Sequence, residues 1–259
     1  MELTRITVPA RENPLLIKLL KKVNSNEEVL TLWKITNINA LERLKYGDHG
    51  IVHFQIVANI ALRMTRILNK NGIKLSIVKD FGLTYNHGEL VVFLASVFHD
   101  LGMSINREGH EEYSLIIANS ILKEVLDFLP VNERVIVSSE TLHAIINHRD
   151  DGKPATLEAG ILRVADALDM GKGRVKIPYG QGKLQIHSIS VAAIENVKIE
   201  EGVEKPIKID ILMNNSAGIF QVDDLLGSKI KDSGIEKYIE VRAHIDMKSE
   251  KKLLEEFKI

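Results

Sequence analysis

The chain contains no cysteine. That excludes disulfides and excludes zinc held by thiolates. Any metal site must therefore be built from His, Asp and Glu, a donor set that suits Mn, Fe, Mg, Co or a His/carboxylate Zn site. Charge of one sign is not in excess: 34 Lys and Arg face 35 Asp and Glu, for a formal net charge of −1. Nothing marks the whole molecule as a binder of nucleic acid. No apolar run reaches the roughly 18 residues of a membrane span. The strongest, LVVFLASVF at 90–98, reads as a buried core helix. The opening MELTRITVPA lacks the apolar core of a signal peptide, so a cytoplasmic protein is expected. Also missing are a P-loop, a G-x-G-x-x-G pattern, an internal repeat and any low-complexity stretch.

What is present suits a globular chain of one large domain, or of a main domain and a small one: 259 residues, 45% hydrophobic and 27% charged. Residues 11 to about 170 read as helical. NPLLIKLLKKV and EEVLTLWKITNINALERL each predict a helix. Over 52–70, His53, Ile56, Val57, Ile60, Met64 and Ile67 recur at intervals of three and four, and Asn71-Gly72 stops the pattern. An apolar helix over 89–101 ends at Gly102, another over 111–129 closes at Pro130, and a third runs over 133–147. DDGKP at 150–154 is a turn, and a helix over about 156–170 starts at Thr156. GKGRVKIPYGQGK then reads as a linker. Beyond it KLQIHSISVAAIENVKIE, EKPIKIDILMN and KYIEVRAHIDM alternate as strands, with VDDLLGSKIKDSG predicted as one helix. The expected organisation is mainly α: a helical domain over 1–175 and a small β-rich α+β unit over 176–259. An exposed strand edge in that unit would favour a homodimer.

Seven of the nine histidines lie between 49 and 148, inside the helical part. His53 falls on the inner face of its helix. His99 and Asp100 close the most apolar helix of the chain, where a carboxylate is costly to bury and where a helix C-terminus disfavours negative charge. A cation near Asp100 would remove both conflicts. Asp166, in ILRVADALDM, repeats the anomaly, and Asp169 follows three residues later. Pairing with Arg163 or Arg174 is the structural alternative for both.

The order His53, His99-Asp100, Asp166 resembles the HD superfamily of metal-dependent phosphohydrolases over roughly residues 40–175. DHGIVHF is similar to that family's first helix, FLASVFHDLG to its doublet helix and ILRVADALD to the helix with the closing Asp. The resemblance implies an HD-type helical bundle whose doublet and two outer residues bind a metal. It also implies a dinuclear version. His110 in EGHEEYSLIIA and His148 in AIINHRDDGKPATLEAGILRVAD are similar to the two additional histidines of dinuclear members. Asp100 would then bridge two divalent ions, about 3.5–4 Å apart, that clamp a phosphoryl group and acidify a water. His143 is a ligand, a supporting group or a surface residue, with the last two favoured. His49 either touches substrate or caps its helix with Asp48 nearby. His87, His187 and His244 lie outside the pattern.

One departure stands out. Many hydrolytic members carry HDxxK, and Met103 occupies the lysine position here. Arg107 and Arg149 are the candidates to supply the missing charge. Asp100, Arg107 and Arg149 are thus the expected catalytic residues, and Lys172 and Arg174 are expected to join His49, Arg107 and Arg149 around the substrate. The activity implied is hydrolysis of a phosphate ester or anhydride in a nucleotide or another small phosphorylated molecule. Two alternatives share the ligand set: a di-iron oxygenase, as in myo-inositol oxygenase, and a regulatory module that binds a nucleotide without turnover. The GYP signature of cyclic dinucleotide phosphodiesterases is absent, since the turn reads DGKPA.

Overall fold

Asn13 and Asn26 start the first two helices. The Asn13 side chain accepts from the Leu15 and Leu16 amides and that of Asn26 from the Val29 amide, satisfying donors a helix start leaves unpaired. In the computed structural model, which describes residues 5–170 and 186–245, these are α1 (Pro14–Ser25) and α2 (Glu27–Asn37). They are followed by α3 (Ile51–Lys70), α4 (Ser76–Phe81), α5 (Tyr85–Phe98), α6 (His110–Val125), α7 (Val131–Asn147) and α8 (Leu157–Ala167). The first helix boundaries fall close to those the sequence predicts. Others do not: α4 has no counterpart in the sequence reading, α5 spans Tyr85–Phe98 where the sequence predicts 89–101, and the predicted helix over 27–44 leaves α geometry at Ile38 and continues as a π turn, Ile38–Arg43. Asn39 in that turn is buried and donates to the carbonyls of Met103 (3.0 Å) and Ser104 (2.8 Å), a tie that a regular helix face was not expected to make.

α5 is the axis of the bundle. It packs against α1, α3, α7 and α8, and every residue from Leu90 to Phe98 is buried. Its end is held by Trp33, whose indole N–H donates to the Val97 carbonyl at 2.9 Å. α3 lies alongside. Its inner face is His53, Phe54, Val57, Ala58, Ala61, Leu62, Met64, Thr65, Ile67 and Leu68. Ile56, expected inside, is 39% exposed, because the buried stripe is centred on Phe54 and Ala58. α3 is long and apolar enough to cross a membrane by length and composition, yet 56% of that stretch is buried within the fold.

Gly102 does more than end a helix. A Cβ there would lie 1.9 Å from the His110 carbonyl oxygen and 2.7 Å from the Ser114 amide nitrogen. The absent side chain lets the short 3-10 turn after α5 lie directly on the first turn of α6. The Gly102 amide donates to Ser114 Oγ there at 2.8 Å.

The C-terminal part differs from expectation in two places. The alternating stretch KLQIHSISVAAIENVKIE enters as a helix, α9 (Ile186–Ala193), before strand β1 (Ile194–Glu201). Asn214 holds the end of that helix, its amide donating to Ala193 O and its side chain to Ala192 O. Tertiary bonding thus overrides β propensity. VDDLLGSKIKDSG is not one helix. A π turn, Gln221–Leu226, passes into a single α turn, α10 (Gly227–Ile230), which stops where Asp232 takes a left-handed φ of 58°. β2 (Ile207–Met213) pairs antiparallel with β1 and parallel with β3 (Ile239–Ile245), in the order β1-β2-β3.

This sheet packs on α3, and α10 packs on α8, so both parts share one continuous apolar core. The expected boundary at 175/176 lies outside the described residues, as do Lys172 and Arg174. The seam is tight at Gly160 in α8, where a Cβ would meet the Ser233 carbonyl at 2.2 Å. A cavity of about 750 Å³ opens between α3 and β1, lined among others by Arg63, Arg66, Lys70 and Glu201. Its cations are engaged, Arg63 with the Ile199 carbonyl, Arg66 with Glu89 and Lys70 with Glu201.

Glu140 in α7 is an acid whose ordinary ionisation opposes this packing. Burial, then the neighbouring Glu158 and Asp80, push its carboxyl up to about 7 from an ordinary 4.5. Its Oε2 is buried with no hydrogen-bond partner. Because the folded value is raised, the stability held by the protonated form is present below pH 4.5 and is lost as pH rises through about 7. Glu140→Gln should therefore raise the thermal midpoint at pH 8 and leave it unchanged near pH 4.5, as followed by circular dichroism. Gly102→Ala should cost about 1–3 kcal/mol in urea unfolding by forcing α5 and α6 apart.

Candidate metal centre

Asp100 sits just past the end of α5, 2% exposed, with imidazoles on both of its oxygens. Oδ2 faces His49 Nδ1 at 2.6 Å, His99 Nε2 at 3.2 Å and His53 Nε2 at 3.5 Å. Oδ1 faces His110 Nε2 at 3.1 Å and His148 Nε2 at 3.7 Å. Asp166 closes one side, its Oδ1 lying 3.4 Å from His53 Nε2 and 3.6 Å from His99 Nε2. All six residues expected to hold metal, His53, His99, Asp100, His110, His148 and Asp166, therefore converge.

The outer nitrogen of each ring fixes what the inner one presents. His99 Nδ1–H donates to the Ser96 carbonyl (2.9 Å), His148 Nδ1–H to that of Ile145 (2.6 Å) and His110 Nδ1–H to that of Arg107 (2.9 Å). His53 Nδ1–H donates to Asp169 Oδ2 at 2.6 Å. A carbonyl or carboxylate can only accept, so the proton is committed outward and four Nε2 lone pairs point inward. Two of them, on His53 and His99, stand 3.2 Å apart.

Lone pairs and carboxylates crowded together in a buried space demand a cation. Where only protons are available, His99 takes one. Burial lowers its pKa, but Asp100 and Asp166 outweigh that and bring it up to about 10. His148 is pushed down to about 3, first by burial and then by the charge on His99. Asp100 is held well below the carboxylate range because His99, His49 and His110 outweigh its burial. A divalent ion held by these residues would meet the same demand with more charge, in place of the proton. The donors fall into groups each able to hold an ion: His53, His99 and Asp166; His99, Asp100 and His148; His110, Glu111 and His148; and His49, His53 and Asp100. A donor set of imidazole and carboxylate fits a divalent metal.

Asp169, Arg163, Lys229 and Glu111 were given no part in this site by the sequence. Asp169, expected to pair with an arginine, orients His53 instead. Arg163 is buried and donates to the carbonyls of Arg149, Asp150, Gly152, Ser228 and Lys229, binding the turn after His148 to the C-terminal part. Lys229 of α10 completes that tie through the His148 carbonyl (2.7 Å) and Asp150 (2.7 Å). Glu111, in the first turn of α6, brings a carboxylate 3.2 Å from His110 Nδ1. His49 neither caps α3 nor stands apart. Asp48 accepts the Gly50 amide, while His49 turns inward to Asp100.

The remaining expectations are placed as follows. Arg149 pairs with Glu112 (2.9 Å) and Asp151 (2.8 Å). Arg107 lies over the Tyr46 ring. His143 is a fastener, its Nε2 accepting the Ala155 amide at 3.1 Å, with its pKa lowered by burial. His87 caps α5 with Thr84 and reaches Glu133. His244 pairs with Asp210. The His187 side chain is outside the described residues.

The bundle and its centre match the HD domain family over residues 50–171, and the chain belongs to that family. It is also 42% identical over 235 residues to an uncharacterized protein of Methanocaldococcus jannaschii, MJ1020, with 90% of each chain covered. No solved structure matches it.

Removing the partner of His53 should loosen one side of the centre without unfolding the bundle. Asp169→Asn is expected to lower divalent-metal affinity by about 10–100-fold, read by competition with a fluorescent chelator, with the helical circular dichroism preserved.

Proposed function

We propose that this chain is a cytoplasmic, metal-dependent phosphohydrolase that cleaves a phosphate ester or anhydride of a nucleotide or another small phosphorylated molecule, using water as the nucleophile. The observation that carries this reading is the division of labour on Asp100. One oxygen serves the His53/His99 side and the other the His110/His148 side. A carboxylate shared in that way suits two cations held side by side. One would take His53, His99, Asp166 and Asp100, and the other His110, His148 and Asp100. With no thiolates in the chain, Mn, Fe, Mg, Co and Zn all suit these donors.

Divalent ions bound here supply Lewis acidity toward a phosphoryl oxygen and acidify a water for in-line attack. The protein's part is to keep the donors in place. Outward Nδ1–H bonds prevent the rings from turning, so each Nε2 would hold an ion without reorganisation. Burial of His53, His99 and Asp100 keeps bulk water from competing for those positions. His49 donates to Asp100 Oδ2 and so steadies the shared carboxylate from the solvent side.

Asp100→Ala and His99→Ala should each strip metal from the purified protein and abolish turnover, whereas His143→Ala should retain both. The measurement is metal analysis on protein purified without added ions, followed by a panel of nucleotides and phosphate esters scored for released phosphate. Turnover with metal retained in Asp100→Ala would sink the reading. Bound mixed-valent iron with O₂ consumption and no phosphate release would replace it with oxygenase chemistry.

A further inference from the structure

The lysine that would follow the doublet is missing, and Met103 in its place is buried, its carbonyl taken by Asn39. A phosphate arriving at Asp100 still needs a cation from the protein. Arg149 is occupied by two carboxylates, Lys229 by Asp150 and the His148 carbonyl, Arg163 by backbone carbonyls and Arg43 by Asn39. Arg107 differs. It is exposed, and among the described residues its guanidinium meets no carboxylate.

What holds Arg107 is Tyr46. The guanidinium carbon lies 3.4 Å from the Tyr46 ring centroid, and Nη2 donates to the Tyr46 hydroxyl. An aromatic face fixes a guanidinium without neutralising it, which a carboxylate could not do. The Tyr46 ring also stacks on His49, with centroids 5.5 Å apart and planes 20° apart. His49 in turn touches Asp100 Oδ2, and the Arg107 carbonyl orients His110, which touches Asp100 Oδ1. The pair is thus one contact from the centre on both sides. Lys45, just before Tyr46, adopts a left-handed φ of 55°, an uncommon conformation for a residue with a side chain.

We propose that Tyr46 and Arg107 form an anion clamp at the mouth of the centre, with Arg107 binding a phosphate group of the substrate and Tyr46 acting as the positioning residue that holds its guanidinium in place. The inference rests on the phosphohydrolase reading for its substrate, but it is tested by binding rather than by turnover.

The probe is inorganic phosphate, titrated calorimetrically into the Mn(II)-loaded full chain. Arg107→Ala and Tyr46→Ala should each weaken phosphate by about tenfold or more, the loss of a charged hydrogen-bonding group. Tyr46→Phe keeps the ring and should lose only about two- to threefold, and Arg107→Lys should recover part of the loss. Mn(II) affinity should be unchanged in all four, which separates the clamp from damage to the centre. With a turned-over substrate, Tyr46→Ala should raise KM while kcat stays near wild type. Phosphate affinity within about twofold of wild type in Arg107→Ala, or no phosphate binding by the wild type, overturns the clamp. Clamp-dependent phosphate binding without hydrolysis of any phosphate compound leaves the clamp standing and removes the phosphohydrolase reading. Hydrolysis with an unchanged KM in Arg107→Ala does the reverse.

Discussion

A carboxylate surrounded by five imidazoles at the buried end of an apolar helix is the constraint on which the rest of this structure depends. Asp100 is 2% exposed, and a charge so placed costs several kcal/mol unless opposite charge surrounds it. Much of the surrounding architecture serves that position. Trp33 and Asn39 hold the chain on either side of the doublet. Gly102 admits the first turn of α6 and with it His110. α3 and α8 bring His53 and Asp166 from the opposite side. Weakening any of these would separate donors that are useful only together.

The orientation of the rings follows from where helices end. The last carbonyls of a helix have no intrahelical partner and carry the negative end of its dipole. His99 and His148 are the C-cap residues of α5 and α7, and each turns its Nδ1–H back to the carbonyl three residues earlier. His110 does the same with Arg107 across the turn that opens α6. Three of the four inward lone pairs are thus set by the local backbone. His53 lies mid-helix, where carbonyls are already taken, and must borrow an acceptor from Asp169 far along the chain.

The C-terminal part has no chemical motif, yet it is not detached from the site. Arg163 and Lys229 bind the turn after His148 to the residues around α10, and the Ser233 carbonyl presses on α8 at Gly160. The part therefore braces α7 and α8 where they present His148 and Asp166. That gives a physical reason for the β-rich tail to share one core with the bundle rather than swing as a separate domain.

Local chemistry made the helices legible. The three-and-four spacing of 52–70, the uninterrupted apolar run of 90–98 and the cap at Thr156 each fix an element without help from the rest of the chain. Four of the inward donors, His53, His99, Asp100 and Asp166, were legible for the same reason, because an acid or imidazole on an apolar face is anomalous wherever it occurs, whereas His110 and His148 were legible only through the family resemblance. Interactions between distant segments were not legible. The π turn at Ile38, the helical start of 186–193 and the break after Ile230 each contradict a reasonable local pattern, and the bonds seen there run to residues elsewhere in the chain. In sequence Asp169 looks like a helix-end acid that could pair with an arginine, His49 like a substrate contact or a helix cap, and Tyr46 carries no signal. Sequence by itself determined that His53, His99, Asp100 and Asp166 would be forced inward, because each lies on a strongly apolar helix face. Only the tertiary structure decided where each ring's Nδ1 proton points and that Arg107 meets an aromatic ring rather than a carboxylate among the described residues, because hydrogen-bond partners are chosen by proximity in space, and neighbours in space are seldom neighbours along the chain.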